Sequence, residues 1–423
     1  MKKISLLLLS FSLLVTKTFS QCTETPQPKV LLVGDSWAWF MSTQSIINNV
    51  LKTWGHSNYT FVSNAVVAEN GAETDDFLKA DKKAEIQNLL NQNPSIEVVH
   101  LSIGGNDFLG DWNVSMTQGQ TDTLTGNVFL RLDSVIQFIK SCKPGIKVFW
   151  SGYVYPNFAE PINDMAPFQT SQPFYGTWHG MGDPTFLQIN TLLNSISLQF
   201  DSIYANDPQV GFEICTGLMQ YVFGQTSQMS VPPSGTYAPF TQPLPFGDPN
   251  YPSPKTAMND YGFTKDCFHL SANGYKAFFG YHTQKFYHKY LMDDLYVLSE
   301  NNAQTGTVSS QGNVANTLSL GASGGEDFAS VLSFNTTAMA DTALAKASIF
   351  LRRESLTGTN PLSGTLQVTI KNGNIGTTAD VEAADYNATG DATDAPCKFG
   401  SIAANGDWVR LDLPAAMLPY ITN

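Results

Sequence analysis

A continuous apolar run closed by glycine, followed by a second buried strand that also ends in glycine, constrains the fold more than any other feature of this chain. Val30-Leu31-Leu32-Val33 stops at Gly34, and Val98 to Ile103 stops at Gly104-Gly105. A strand with one wet face alternates apolar and polar residues. A continuous run is buried on both faces, as in a parallel sheet covered by helices. The segments around these runs alternate in kind. Ser45–Trp54 reads as a helix, Thr60–Val67 as a strand and Thr74–Leu90 as a helix. Phe129–Lys140 is amphipathic through Leu130, Leu132, Val135, Ile136 and Ile139, and Lys147–Tyr153 reads as a further strand. This rhythm predicts an α/β domain built on a parallel sheet.

The rhythm breaks between about Pro156 and Lys265, which reads as a long insertion. Within it Pro184–Gln199 is helix-like, with Pro184 suited to a first helical position. Val231–Pro254 carries eight of the 22 prolines together with Tyr237, Phe240, Phe246 and Tyr251. Such a segment is a long ordered loop or cap, and loops of this size usually have a role. Ser271–Leu291, rich in Phe and Tyr, reads as a closing helix.

At 423 residues the chain is too long for one ordinary domain. Near Glu300 the composition shifts, and 299–325 reads as a linker or first strands. Ala329–Phe334, Ala347–Arg352, Thr365–Ile370 and Trp408–Leu413 then look β-like. Leu366, Val368 and Ile370 alternate with Gln367, Thr369 and Lys371, as in a half-buried strand. A β-sandwich over about 326–423 is expected.

The N-terminus has a secretory layout over 1–20. Lys2 and Lys3 precede an apolar run from Ile4 to Val15, which is shorter than the roughly 20 residues a membrane helix needs. Cleavage is expected near Ser20–Gln21, and a secreted or periplasmic location follows. Cys22 raises lipidation as an alternative, but Phe19-Ser20-Gln21 poorly matches the small residues such processing favours. No later run is apolar enough to span a membrane. Export permits disulfides. The five cysteines are an odd number, so at least one is free or pairs between chains. Cys215 with Cys267, which flank the same long segment, is the preferred pair. The net charge of −13 leaves no basic surface for nucleic acid.

Three short motifs sit at element boundaries. Gly34-Asp35-Ser36-Trp37 places a serine at a strand-to-helix turn, where its hydroxyl can receive a base and its N–H sits at a helix start. Taken alone it reads as an N-cap. Gly104-Gly105-Asn106-Asp107 ends a strand with an amide able to donate to an oxyanion, although Gly, Asn and Asp are also ordinary turn residues. Asp266-Cys267-Phe268-His269 puts a carboxylate three residues before a histidine, the orienter and base of a hydrolytic triad. His56, His100, His179, His282 and His288 have no comparable partner pattern and are assigned no chemistry.

Taken together, the Ser, the Gly-Gly-Asn and the Asp-x-x-His, in that order over Lys29–Leu291, resemble the SGNH hydrolases, the GDSL-type esterases and lipases. The resemblance implies a three-layer α/β/α, flavodoxin-like domain over about 21–298. It implies Ser36 as nucleophile, His269 as base and Asp266 as its orienter. It also implies an oxyanion hole from the N–H groups of Ser36 and Gly71 and the amide of Asn106. Gly71, in Ala68-Glu69-Asn70-Gly71-Ala72, is the weakest match. Trp37 stands where Leu is common in the family, and about 159 residues separate Asp107 from Asp266, more than a compact member needs. The serine also resembles an α/β-hydrolase elbow, but it follows the first strand, too early for that fold, and the Asp and His lie close together.

The C-terminal segment resembles carbohydrate-binding β-sandwich modules, with Trp408 and Tyr386 able to stack on sugars or to serve the core. Asp391 and Asp394 could bind calcium, but such clusters are usually solvated loops, and neither a metal nor a cofactor is expected. The expected activity is a metal-independent serine esterase. Acetyl groups on polysaccharide are the first-choice substrate and lipid esters the second. A polysaccharide-binding or adhesion protein on a non-catalytic scaffold is the reading from another class.

Overall fold

The computed structural model describes residues 25–56, 58–291, 298, 300–301, 304–339, 343–364, 366–399, 405–406 and 408–421. The expected leader over 1–20, its cleavage point and Cys22 lie outside these. The described residues form two compact units, one within 24–299 and one within 300–423.

In the first unit β1 (Gln27–Gly34) leads into α1 (Ser36–Thr43) and α2 (Ile46–Thr53). Then come β2 (Tyr59–Val62), α3 (Ala80–Gln92), β3 (Val98–Ser102), α4 (Gly105–Asp111), α5 (Gln118–Cys142) and β4 (Lys147–Trp150). After α6 (Ala159–Asp164) and α7 (Tyr175–Gly180), α8 (Phe186–Tyr204) feeds β5 (Val210–Phe212). The strands pair in parallel in the order β2-β1-β3-β4-β5. That is a doubly wound, flavodoxin-like sheet whose chain order reverses between β1 and β3. The apolar runs explain the layering. Val30 to Val33 are fully buried, and so are Val98, Val99 and Leu101. Leu132, Val135, Ile136 and Ile139 of α5 bury with them at helical spacing.

Several expectations are corrected. β2 ends at Val62 rather than Val67, because Asn64 turns the chain: its side chain accepts from the N–H groups of Val66 and Val67. Leu130 faces solvent at 69% exposure, off the apolar stripe of α5. Pro184 precedes its helix. Thr185 is the N-cap and forms a capping box with Gln188. The segment after Pro156 is not wholly an insertion either, since its α8 and β5 complete the main sheet. β5 is three residues long, too short to show a period.

The cysteine pairing is also corrected. Cys215 and Cys267 are free thiols, as is Cys142, and Cys397 is disulfide-bonded. Cys215 Sγ faces the Ser151 carbonyl and Cys267 Sγ that of Phe158, so each packs into a different part of the core. Burial pushes both thiols up, which makes them inert.

Beyond α9 (Leu218–Phe223), the antiparallel hairpin of β6 (Met258–Tyr261) and β7 (Thr264–Leu270) runs into α10 (Ala272–His282). A π-turn over Thr283–Tyr287 interrupts the expected closing helix. Among the described residues no helix is long and apolar enough to cross a membrane.

Among the described residues every strand pair of the second unit is antiparallel. β8 (Gly306–Ser309), β9 (Val314–Ala315), β10 (Gly321–Ser323) and β11 (Glu326–Val331) form one sheet. Further along the chain come β12 (Ser348–Arg352), β13 (Val368–Ile370), β14 (Ala392–Asp394), β15 (Cys397–Phe399) and β16 (Trp408–Asp412). Strands β12, β16 and β15 form a second sheet, and β13 pairs with β14. Trp408 and Tyr386 are half-buried, and Asp391 is engaged by Lys371 and the Asn372 N–H.

Candidate active site

The site lies where the strand order reverses, beyond the carboxyl ends of β1 and β3, the crevice such sheets offer to ligands. The two turns there are stitched together. Asp35 N–H donates to Ser102 O at 2.8 Å. A Cβ on Gly34 would sit 2.0 Å from that same carbonyl oxygen, so only glycine permits the approach. Ser36 then opens α1, where backbone N–H groups lack an intrahelical acceptor.

β7 delivers the partner groups. Asp266 Oδ1 accepts the N–H of Phe268 at 2.9 Å and of His269 at 2.8 Å. Its Oδ2 lies 2.9 Å from His269 Nδ1, and His269 Nε2 lies 2.7 Å from Ser36 Oγ. The carboxylate accepts from Nδ1–H, which leaves the Nε2 lone pair to accept the serine proton. Ser36, Asp266 and His269 are 6%, 5% and 7% exposed. Phe40, Phe174 and Phe268 surround the imidazole, with ring centroids 4.8, 5.9 and 4.4 Å from it. Charge developing on this relay is therefore poorly screened by water.

The β3 turn brings Asn106 beside Ser36 on the wall of one cavity. Its Nδ2 donates to Ala72 O at 2.9 Å, which uses one of two amide hydrogens. Gly71, next to that carbonyl, has φ +80°, is exposed and is not among the residues lining the cavity. Its link to the site runs through Ala72.

Three groups escaped sequence reasoning. Asp35 is buried beside the serine. Its Oδ1 accepts from Trp37 N–H at 2.9 Å and its Oδ2 from the Tyr153 hydroxyl at 2.5 Å. Burial pushes its carboxyl up to about 6, against the lowering effect of those two bonds. Tyr153 also accepts from Gly105 N–H at 3.1 Å, so one phenol ties both turns. Asp107, fully buried, takes Thr74 N–H and Oγ at 3.0 and 2.6 Å and Arg131 at 2.8 Å. The quoted Gly-Asp-Ser and Asn-Asp motifs contained both acids. Their side-chain partners lie 24 to 118 residues away in sequence, so no local pattern could find them.

No family model and no curated protein sequence matches the chain. Among solved structures it is similar to a family 3 carbohydrate esterase of Clostridium thermocellum, at 18% identity and TM-score 0.31, over 63% of this chain and 96% of that one. A carbohydrate esterase of family 3 from Talaromyces cellulolyticus aligns at 13% identity and TM-score 0.33, over 64% and 100%. A GDSL-like lipase from Bacteroides thetaiotaomicron aligns at 13% identity and TM-score 0.29, over 60% and 87%. At TM-scores this low the likeness carries no weight. The fold and the site stand on the strand order and hydrogen bonds above.

Proposed function

We propose that the chain hydrolyses carboxylic esters through an acyl-enzyme on Ser36. The observation that carries this reading is the buried relay, with Ser36 Oγ 2.7 Å from His269 Nε2 and His269 Nδ1 2.9 Å from Asp266. Ser36 Oγ attacks the ester carbonyl as its proton passes to Nε2. Asp266 holds the imidazolium. The oxyanion is met by the Ser36 N–H and the free amide hydrogen of Asn106, with Gly71 N–H as the third donor in this reading. The tetrahedral adduct expels the alkoxide, which takes the proton from His269. A water, deprotonated by the same Nε2, then attacks the acyl carbon, releases the acid and returns the proton to Ser36.

Export rests on the leader-like composition of residues 1–20. Acetylated polysaccharide as substrate has its support in the appended β unit, and lipid esters in the apolar wall beside Ser36. A purely polysaccharide-binding role leaves the short Ser36–His269 contact without a purpose.

The test is hydrolysis of p-nitrophenyl acetate and longer esters by purified protein. Ser36→Ala is expected to abolish nearly all turnover, and His269→Ala and Asn106→Ala each to cost about 100-fold. A Ser36→Ala protein as active as wild type sinks the mechanism. No turnover by wild type, with polysaccharide binding retained, favours the non-catalytic reading.

A further inference from the structure

The cysteines leave one bond to be assigned. Cys397 opens β15, opposite Asp412 of β16, and is disulfide-bonded. The chain has five cysteines, and Cys142, Cys215 and Cys267 are free thiols. Cys142 ends α5, while Cys215 and Cys267 are buried within the first unit. Burial raises all three thiols above the usual cysteine range. The thiolate is the species that attacks a disulfide, so these three are poor at displacing a bond made elsewhere in the chain. Elimination leaves one partner. We infer that Cys397 is bonded to Cys22, and that this disulfide clasps the start of the mature chain to the second unit.

The bond forms by exchange with a disulfide carrier of an oxidising compartment. One cysteine thiolate attacks the carrier and makes a mixed disulfide, and the second thiolate then displaces the carrier. One S–S bond is made in the chain and one is broken in the carrier. The carrier leaves as a dithiol with both electrons and both thiol protons. Two consequences follow from connectivity alone. Only Thr23, Glu24, Thr25 and Pro26 separate Cys22 from Gln27, the first residue of β1, whose last residue precedes the Ser36 turn. The second unit is therefore joined to the catalytic chain twice, through residues 292–305 and through the bond. A protease cut within 292–305 does not part them until the bond is reduced. The same sulfur cannot also carry a lipid thioether, so the clasp and lipidation at Cys22 exclude each other.

Thiol counting and peptide mapping test this. The chain from Gln21 onward is produced in an oxidising compartment and unfolded in guanidinium without reductant, and its thiols are counted with a disulfide dye. Three thiols are expected before reduction and five after it, as the three free cysteines require. Monomeric Cys22→Ser protein should show four before reduction. A tryptic digest of unreduced wild type should hold the peptide containing Cys22 linked to the peptide containing Cys397, and reductant should separate the two. This digest needs no variant to fold. Five thiols before reduction overturn the clasp. So does a link from Cys397 to Cys142, Cys215 or Cys267, or a disulfide-joined dimer on a non-reducing gel. None of these readouts depends on ester turnover, so the clasp stands or falls apart from the chemistry at Ser36.

Discussion

The phenol of Tyr153 donates to the buried carboxylate of Asp35 at 2.5 Å while accepting from Gly105 N–H at 3.1 Å. One side chain thus sets the distance between the turn that carries Ser36 and the turn that carries Asn106. Tyr153→Phe removes both bonds and keeps the ring that packs 5.1 Å from Trp37. The expected result is a kcat about tenfold lower with KM little changed, since the groups are misplaced rather than lost. Steady-state kinetics on a p-nitrophenyl ester check it. An unchanged kcat would show that the turns hold their spacing without the phenol.

Asp35 makes a second prediction, in stability. Its carboxyl is raised from 3.8 to about 6 by burial. A raised acid binds its proton more tightly in the folded state, so this stability is fully present below 3.8 and is lost as pH rises to about 6. The difference is about 3 kcal/mol. Asp35→Asn does not titrate, so its stability relative to wild type should improve by about that amount between pH 3.5 and 7. Urea unfolding at the two pH values measures it, and a constant gap would contradict the burial argument.

Two buried histidines, His100 in β3 and His282 at the end of α10, work in the opposite direction. His100 is pushed down to about 3 by burial. His282 is lowered by burial and then by His100, and neither of its ring nitrogens has a hydrogen-bond partner among the described residues. His100 Nδ1 lies 2.8 Å from the Tyr287 hydroxyl, and the rings of Phe149, Phe278 and Tyr281 surround His282. Both are neutral when folded and protonate near 6.5 when unfolded. Stability is therefore full above 6.5 and falls below it by about 1.4 kcal/mol per pH unit for each histidine. His282→Leu removes one of these contributions along with two unsatisfied nitrogens, and should flatten the acid limb of a thermal-melt series without loss at neutral pH.

Arg131 is the only cation within hydrogen-bonding distance of Asp107 among the described residues. Arg131→Leu leaves that carboxylate buried with Thr74 alone, at an expected cost of about 3 kcal/mol. The double variant with Asp107→Asn should recover most of it. Because Asp107 follows Asn106, turnover should fall in the single variant and recover in the double. Urea melts and ester kinetics on all three proteins check both points.

The legible part of this protein was local. Val30–Val33 announced a buried strand because burial on both faces removes polar alternation, and the structure pairs it in parallel with the second expected strand, Val98–Ser102. Asp266 and His269 could be paired on paper because three residues within one strand end suffice to bring carboxylate and ring together. Lengths and partners with weak local signals were misread or missed: the strand expected over Thr60–Val67 ends at Val62, the three-residue β5 lay unread within the expected insertion, and Cys215 and Cys267 proved to be free thiols.

The sequence by itself determined the alternation of elements, the glycines where turns must pass close to a neighbouring strand, and the identities of Ser36, Asn106, Asp266 and His269. Only the tertiary structure decided that Ser36 meets a histidine 233 residues later, that Tyr153 bridges two turns, and that α5 and α8 enclose an apolar cavity beside the serine. The reason is physical. Backbone propensity and periodicity act over a few residues and are written into neighbouring side chains. A cavity, a relay or a bridge depends on how layers pack, and packing couples residues that share no local pattern.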